Sequence, residues 1–240
     1  MVADNLSRRA DVCNAMLSNK KPRFNLLHGD RTINTNSSDT IFGAATLVPS
    51  VFCDCDPQLI EIMVDLQSLS DNPPINALDG LISDKLYLVE RRLVMLIVSF
   101  DDGIHTSYCR SDSKACFLAA LIYLYTCLRD YPTQAPLFDS FTTTLAEALF
   151  SPSYSQDWAE SRYSMLLWVL TTGALTAEGR PERTKFAREL ARLMTKKGIA
   201  SFYEFVASAR EILWIERRDE RREAAWRSLW WECQAFIGEP

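Results

Sequence analysis

The sequence predicts an all-α fold, an irregular multi-helix bundle of about seven to nine helices with short loops and little or no sheet. Three observations predict it. Apolar residues recur three and four positions apart in successive segments after residue 56, which is the spacing of one helix face. Residue types that begin or end helices bound these segments. The composition, with 48% hydrophobic and 24% charged residues, is typical of a globular protein.

Two regions are expected along the chain. Residues 1–55 are predicted to form an irregular N-terminal arm, in which Asp4 to Ser18 has the spacing of one short helix. In the apolar part of the arm after Thr40, a short strand and an irregular segment both remain open. Residues 56–240 are predicted to form one helical domain. The loop DNPPINALDG is its best internal boundary, but apolar helical segments flank that loop on both sides.

The regular pattern begins at Asp56 and Pro57. Asp56 is expected to be the N-cap and Pro57 the first helical residue, where the missing proline N–H costs nothing. The next helix, Leu81 to Phe100, is apolar nearly all round in its second half and is therefore expected to be central. A long helix from Ser113 to Arg129 and a shorter one from Asp139 to Phe150 follow.

The stretch LLWVLTTGALTAEGRPER, Leu166 to Arg183, is predicted to join two helices. The first is expected to open at a capping-box pattern, Asp157-x-x-Glu160. Gly173 is expected where the backbone of another helix approaches closely. Gly179 suits the left-handed residue just past the helix end, and Pro181 suits the first position of the next helix.

The remaining helices have clear ends. Lys196-Lys197-Gly198 is expected to close one helix, because positive charge and glycine both favour a helix C-terminus. Ser201-x-x-Glu204 is a capping box that opens the next. The last helix carries one apolar stripe, formed by Trp226, Leu229, Trp230 and Cys233.

The sequence indicates the cellular compartment of the protein and the kinds of ligand that its charge disfavours. The N-terminus has no apolar core of signal-peptide length, so we expect a protein that is not secreted. The longest apolar run, Phe117 to Tyr125, is about half of the roughly 20 residues that span a bilayer, so no membrane segment is expected. Seven cysteines without a secretory signal indicate free thiols in a reducing compartment. The net charge of −5 disfavours holding a phosphate backbone.

The sequence contains only weak motifs for metal binding or catalysis. Cys53-Asp-Cys55 offers two thiolates where structural zinc needs four ligands. The two histidines, His28 and His105, lie in expected loops, and their pairing with a nucleophile such as Cys109 remains open. No phosphate loop or nucleophile elbow is present in the sequence. We therefore expect no catalytic, cofactor-binding or metal-binding residues.

The densest charge run is ERRDERREAAWR, residues 216 to 227. Its five arginines and four acids nearly balance, which is typical of a solvated helix face. An alternative is a partner surface, because two adjacent tryptophans can serve as aromatic anchors. The residues of that surface would be Arg221, Arg222, Trp230 and Trp231. Adjacent helical residues point about 100° apart, so one tryptophan is expected to be partly exposed.

Three stretches in series resemble one family. They are KACFLAALIYLYTCLRDYP (114–132), LLWVLTTGALTAEGRPERTKFARELARLM (166–194) and GIASFYEFVASAREILWIERRDERREAAWRSLW (198–230). In this order they resemble the C-terminal half of the regulatory domain of fungal zinc-cluster transcription factors. The resemblance covers about residues 56–235. The family's DNA-binding element contains two C-x-x-C pairs, and these 240 residues contain no C-x-x-C. DNA binding and zinc are therefore not carried over.

The resemblance implies a non-enzymatic, all-α regulatory domain in the nucleus, with transcriptional partner proteins or a small effector as its ligands. No direct DNA binding is expected from these residues. Two other hypotheses stay open: a helical enzyme with a site built from histidine, cysteine and acids, and a helical scaffold that oligomerises through its last helix.

Overall fold

The computed structural model describes residues 11, 14, 15, 18 and 20, then 55–71, 80–101, 111–150, 158, 160–213 and 220–237. Between residues 55 and 237 the described chain forms eight α-helices and no strand, which confirms the predicted all-α class. They are α1 (Pro57–Asp71), α2 (Gly80–Asp101), α3 (Ser111–Tyr123), α4 (Leu137–Phe150), α5 (Tyr163–Thr176), α6 (Arg183–Lys197), α7 (Phe202–Arg210) and α8 (Glu220–Ile237). None of these described helices is long and apolar enough to span a bilayer.

Helix α5 is the centre of the described bundle. It contacts α3, α4, α6, α7 and α8, and its residues from Met165 to Ala174 are all buried. Trp168 is 1% exposed, and its indole N–H donates to the Leu213 carbonyl at 3.2 Å. The expectation of a central α2 is wrong for the described residues. That helix buries Leu93 and Ile97 but leaves several neighbours half-buried, because it packs mainly against α1 and α3.

Three predicted helix ends are confirmed by their hydrogen bonds. The Asp56 carboxylate accepts from the Gln58 N–H at 2.8 Å, and α1 begins at Pro57. Gly198 has φ 69° and donates its N–H to the last carbonyls of α6. The side chains of Ser201 and Glu204 each accept from the backbone N–H of the other, which completes the capping box. These ends depend on residues within a few positions, so local sequence specifies them.

The connection between α5 and α6 differs in part from its prediction. Gly179 has the expected positive φ of 76°. Pro181, however, lies before the N-cap Glu182, and α6 begins only at Arg183. Turn bonds hold these residues out of the helix, since the Arg180 N–H donates to Ala177 at 2.9 Å and the Arg183 N–H to Arg180 at 3.3 Å.

Two further predictions about α5 need correction. The helix begins at Tyr163 after a 3-10 turn, Glu160–Arg162, and its N-cap Arg162 makes no side-chain cap bond. The other half of the proposed capping box, Asp157, lies outside the described residues. Gly173 is closely approached by side chains rather than by a helix backbone: a Cβ there would lie 2.9 Å from Phe186 Cε1 and 3.0 Å from Leu145 Cδ2.

Several predictions concern residues that the structure does not describe. They include His28, His105, Cys53, Cys109, the side chain of Arg221 and most of the N-terminal arm. The arm and the boundary at residue 55 therefore stay predictions. The described cysteines are free thiols, namely Cys55, Cys116, Cys127 and Cys233. The apolar stripe of α8 is confirmed, since Trp226, Leu229, Trp230 and Cys233 are all buried.

Candidate functional site: a pocket beside the start of α8

Helix α3 does not run unbroken to Arg129, as the sequence predicts. After Tyr123 it widens into a π-helical turn, Leu124–Leu128, in which the Arg129 N–H donates to the Leu124 carbonyl at 2.9 Å. Such turns are rare and frequently occur at functional sites. Within it the buried Tyr125 hydroxyl donates to Glu90 of α2, which also forms an ion pair with Arg129. The apolar pattern gives no sign of the widened turn, because nearly every residue there is buried.

The residue after this turn has an unusual backbone. Asp130 has φ 55°, the only positive φ of a non-glycine residue in the described part of the chain. Glycine is usual at this position past a helix end. The Asp130 carboxylate accepts from the Arg222 guanidinium at 2.9 Å, and the same guanidinium donates to the Thr126 carbonyl at 3.0 Å. Aspartate thus keeps a side chain that links the end of the π-helical turn to α8.

Three segments line a half-open pocket of about 350 Å³ around this link. They are the π-helical turn with the loop that follows it, the last turns of α5 and the first turns of α8. A volume of this size falls in the range of small-molecule sites, which is about 300–1,000 Å³. The lining includes Thr126, Asp130, Thr172, Thr176, Arg222 and Trp226.

Two hydroxyl groups stand out in the lining. Thr172 and Thr176 lie one helical turn apart on α5, and their side chains are 8% and 2% exposed. Neither hydroxyl forms a hydrogen bond with a described residue, and neither oxygen is fully shielded from solvent. Buried hydroxyls normally have a partner, and those of Ser70 and Thr142 each donate to the carbonyl four residues earlier. The Thr172 and Thr176 hydroxyls are therefore available to a molecule in the pocket.

The described lining contains a buried tyrosine and three charged side chains. Burial raises the pKa of Tyr123 well above its usual range, and its hydroxyl is bonded to Ser70 at 2.8 Å, so the phenol stays neutral. The described lining contains no histidine or lysine. Its charges are the carboxylates of Asp130 and Glu178 and the guanidinium of Arg222.

The structure places the described residues of the predicted partner surface in different surroundings. Trp230 is 8% exposed and packs against the rings of Phe202 and Phe205. Arg222 belongs to the wall of the pocket. Trp231 is 70% exposed, so one tryptophan of the pair faces solvent as expected. A partner surface made of Arg221, Arg222, Trp230 and Trp231 stays a prediction, and Trp231 is its exposed member.

Metal ligands are not grouped in the part of the chain that the structure covers. Among the described residues, no three His, Cys, Asp or Glu side chains lie close enough to share an ion. Burial raises the pKa of Cys116 well above its usual range and that of Cys233 to about 12, so both thiols are protonated. Protonated, buried thiols are poor nucleophiles and poor ligands. The expectation of no metal and no cofactor stays a prediction.

The helical core, the interrupted α3 and the pocket define the class of the protein as an all-α domain. The family described as fungal specific transcription factor domain matches residues 83–235, which is well over half of the chain. The chain belongs to this family. The match extends from α2 into α8 and includes every segment of the pocket. No curated protein and no solved structure matches the chain significantly.

Proposed function

We propose that the chain is a non-enzymatic regulatory domain of a fungal transcription factor-like protein, that it acts in the nucleus, and that a small effector bound in the pocket changes its activity. The family supports a regulatory role. The observation that carries the effector is the pocket of about 350 Å³ with two unpaired hydroxyls in its wall. A ligand that fits one arrangement of the walls better than another shifts the population towards that arrangement.

The contacts of α8 link the pocket to the protein surface. Arg222 ties the start of the helix to the pocket wall. Further along, Glu232 accepts from Arg183 of α6 at 2.7 Å, and Ser228 accepts from the same guanidinium at 3.3 Å. Trp231 lies between these anchoring residues on the sequence and is exposed. A small movement of α8 would therefore change what this helix presents to a transcriptional partner protein.

The partner surface proposed for α8 consists of Arg221, Arg222, Trp230 and Trp231, with Trp231 as the aromatic anchor. Tryptophan and arginine are enriched among residues that dominate interface energetics. Direct binding to DNA is not part of the proposal, since the net charge is −5 and the 240 residues contain no C-x-x-C pair.

A tethering experiment tests the regulatory role. The full chain is fused to a DNA-binding domain that has no transcriptional activity of its own, and a reporter with the matching binding sites is measured in fungal cells. We expect the fusion to change reporter transcription relative to the DNA-binding domain alone at equal protein levels. Equal transcription from the two proteins would contradict the proposal.

A second candidate function is an oligomerisation scaffold. It is favoured by Trp231 and Tyr203, which are 70% and 79% exposed. Sedimentation of the wild type and of Trp231→Ala distinguishes it: a scaffold self-associates through α8, and the substitution weakens that association. A wild-type monomer at all concentrations would exclude it. The enzymatic alternative depends on His28, His105 and Cys109, which lie outside the described residues, and no observation favours it.

A further inference from the structure

We propose that the pocket beside α8 binds a neutral aromatic molecule carrying hydroxyl or amide groups, which hydrogen-bonds to Thr172 and Thr176. The inference rests on the proposed function and specifies the class of its effector. Three properties of the lining carry it: the state of its charges, the two unpaired hydroxyls, and its size and apolar area.

The charges of the pocket disfavour an ionic ligand. Its guanidinium, on Arg222, already donates to the Asp130 carboxylate at 2.9 Å and to the Thr126 carbonyl at 3.0 Å. An anion would lie beside the carboxylates of Asp130 and Glu178, which outnumber the one guanidinium, and the described lining offers no lysine to offset their repulsion. A cation fares no better, because Asp130 is already paired and the Glu178 carboxylate is exposed, where water and salt screen it.

The hydroxyls favour a ligand with hydrogen-bonding groups. Thr172 and Thr176 are more than nine-tenths buried, and neither hydroxyl has a partner among the described residues. Each oxygen lines the pocket and is not fully shielded from solvent, so a bound donor or acceptor would take the place of water there. A hydroxyl both donates and accepts, so phenolic, alcohol and amide groups all suit the pair.

The apolar part of the lining favours an aromatic ring. Trp226 is 4% exposed and lines the pocket together with Leu175 and Ala225. Burial of a ring against such residues supplies the non-directional part of the affinity. A volume of about 350 Å³ lies near the lower end of small-molecule sites and suits a ring compound better than a long acyl chain.

The test uses three probes of closely similar shape with the full chain: neutral 4-hydroxybenzamide, anionic 4-hydroxybenzoate and cationic 4-hydroxybenzamidine. Binding is measured by NMR titration. We expect 4-hydroxybenzamide to bind about tenfold more tightly than either charged probe. Equal affinities, tighter binding of a charged probe, or no binding of the amide at about 10 mM would overturn the proposal.

Variants assign the binding to the pocket. Thr172→Val with Thr176→Val keeps the side-chain shape and should weaken the amide about fivefold or more. Thr195→Val is the matched control, because this threonine is exposed on α6 and does not line the pocket; it should leave the affinity unchanged. Ala225→Met fills the pocket from α8 with a good helix former and should abolish binding. Undiminished binding by Ala225→Met would overturn the assignment of the binding site to the pocket. Circular dichroism checks that each variant is folded.

Separate experiments test the regulatory role and the ligand class, so either proposal can be contradicted without the other. If the tethered chain changes transcription but the amide does not bind, the ligand class is wrong and the regulatory role stands. If the amide binds the pocket but the tethered chain leaves transcription unchanged, the proposed function is wrong and the ligand class stands.

Discussion

Gly173 in α5 offers the sharpest test of the packing at the centre of the bundle. A Cβ at this position would lie 2.9 Å from Phe186 Cε1, 3.0 Å from Phe186 Cζ and 3.0 Å from Leu145 Cδ2. Carbon atoms in contact are normally about 3.5–4.0 Å apart. Phe186 and Leu145 are both 0% exposed, so neither side chain can move towards solvent.

Two effects of Gly173→Ala oppose each other. Alanine is better than glycine inside a helix by about 1 kcal/mol. Crowding of a packed core by one extra carbon costs about 1–3 kcal/mol. Here the crowding should prevail, because three contacts fall near 3.0 Å or below. We expect a net loss of about 1 kcal/mol, which lowers the melting temperature of a chain of this size by about 2–4 °C.

Denaturant unfolding followed by tryptophan fluorescence measures the effect. Phe186→Leu removes the two ring atoms that crowd the new methyl, so Gly173→Ala should cost less in that background than in the wild type. Gly179→Ala is the control: its cost comes from φ 76° with nothing within 4 Å of the added carbon, so Phe186→Leu should not change it. A Gly173→Ala variant more stable than the wild type by the full helix-propensity gain would refute the described packing.

Three further predictions concern stability. Glu90→Ala should cost about 3–5 kcal/mol in denaturant unfolding, because it leaves the buried Arg129 guanidinium without its carboxylate; a loss below about 1 kcal/mol would contradict the ion pair. The backbone N–H groups of Ala200 and Ser201 lower the pKa of Glu204 below its ordinary value of 4.5, so its stabilising contribution is present above that pH and is lost as the pH falls through the folded-state pKa. Thermal melts of Glu204→Gln should lack this step, and an unchanged step would assign it elsewhere. Trp230→Ala should cost about 3–5 kcal/mol, and the neighbouring Trp231→Ala less than about 0.5 kcal/mol; similar losses would contradict the orientation of α8.

Local signals explain why the helices were predictable. The capping box at Ser201 and the glycine at residue 198 act through bonds to residues within four positions. The stripe of α8 follows from its apolar spacing alone. Local signals fail at Pro181, since α6 begins at Arg183 and not at the proline. Proline suits a first helical position, but the Arg180 side chain bonds to Asp139 at 2.7 Å and to the Thr176 carbonyl at 2.8 Å, and these contacts help to hold the turn before α6.

The pocket was not predictable, because its groups come from distant parts of the chain. Arg222 meets Thr126 and Asp130 across more than 90 residues. Thr172 and Thr176 resemble ordinary small residues of a buried helix until α8 and the π-helical turn are placed beside them. The sequence shows Arg222 only as part of a charge run, and its place in the pocket wall appears only in the fold.

The central claim, that occupancy of the pocket controls transcription, is tested most directly in the tethered reporter with and without 4-hydroxybenzamide. Wild type, Ala225→Met and Thr195→Val are compared at equal protein levels. We expect the amide to change transcription in a dose-dependent way with the wild type and with Thr195→Val, and to have no effect with Ala225→Met. A flat response of the wild type when the amide binds it in the NMR titration, or an equal response of the filled variant, would contradict it.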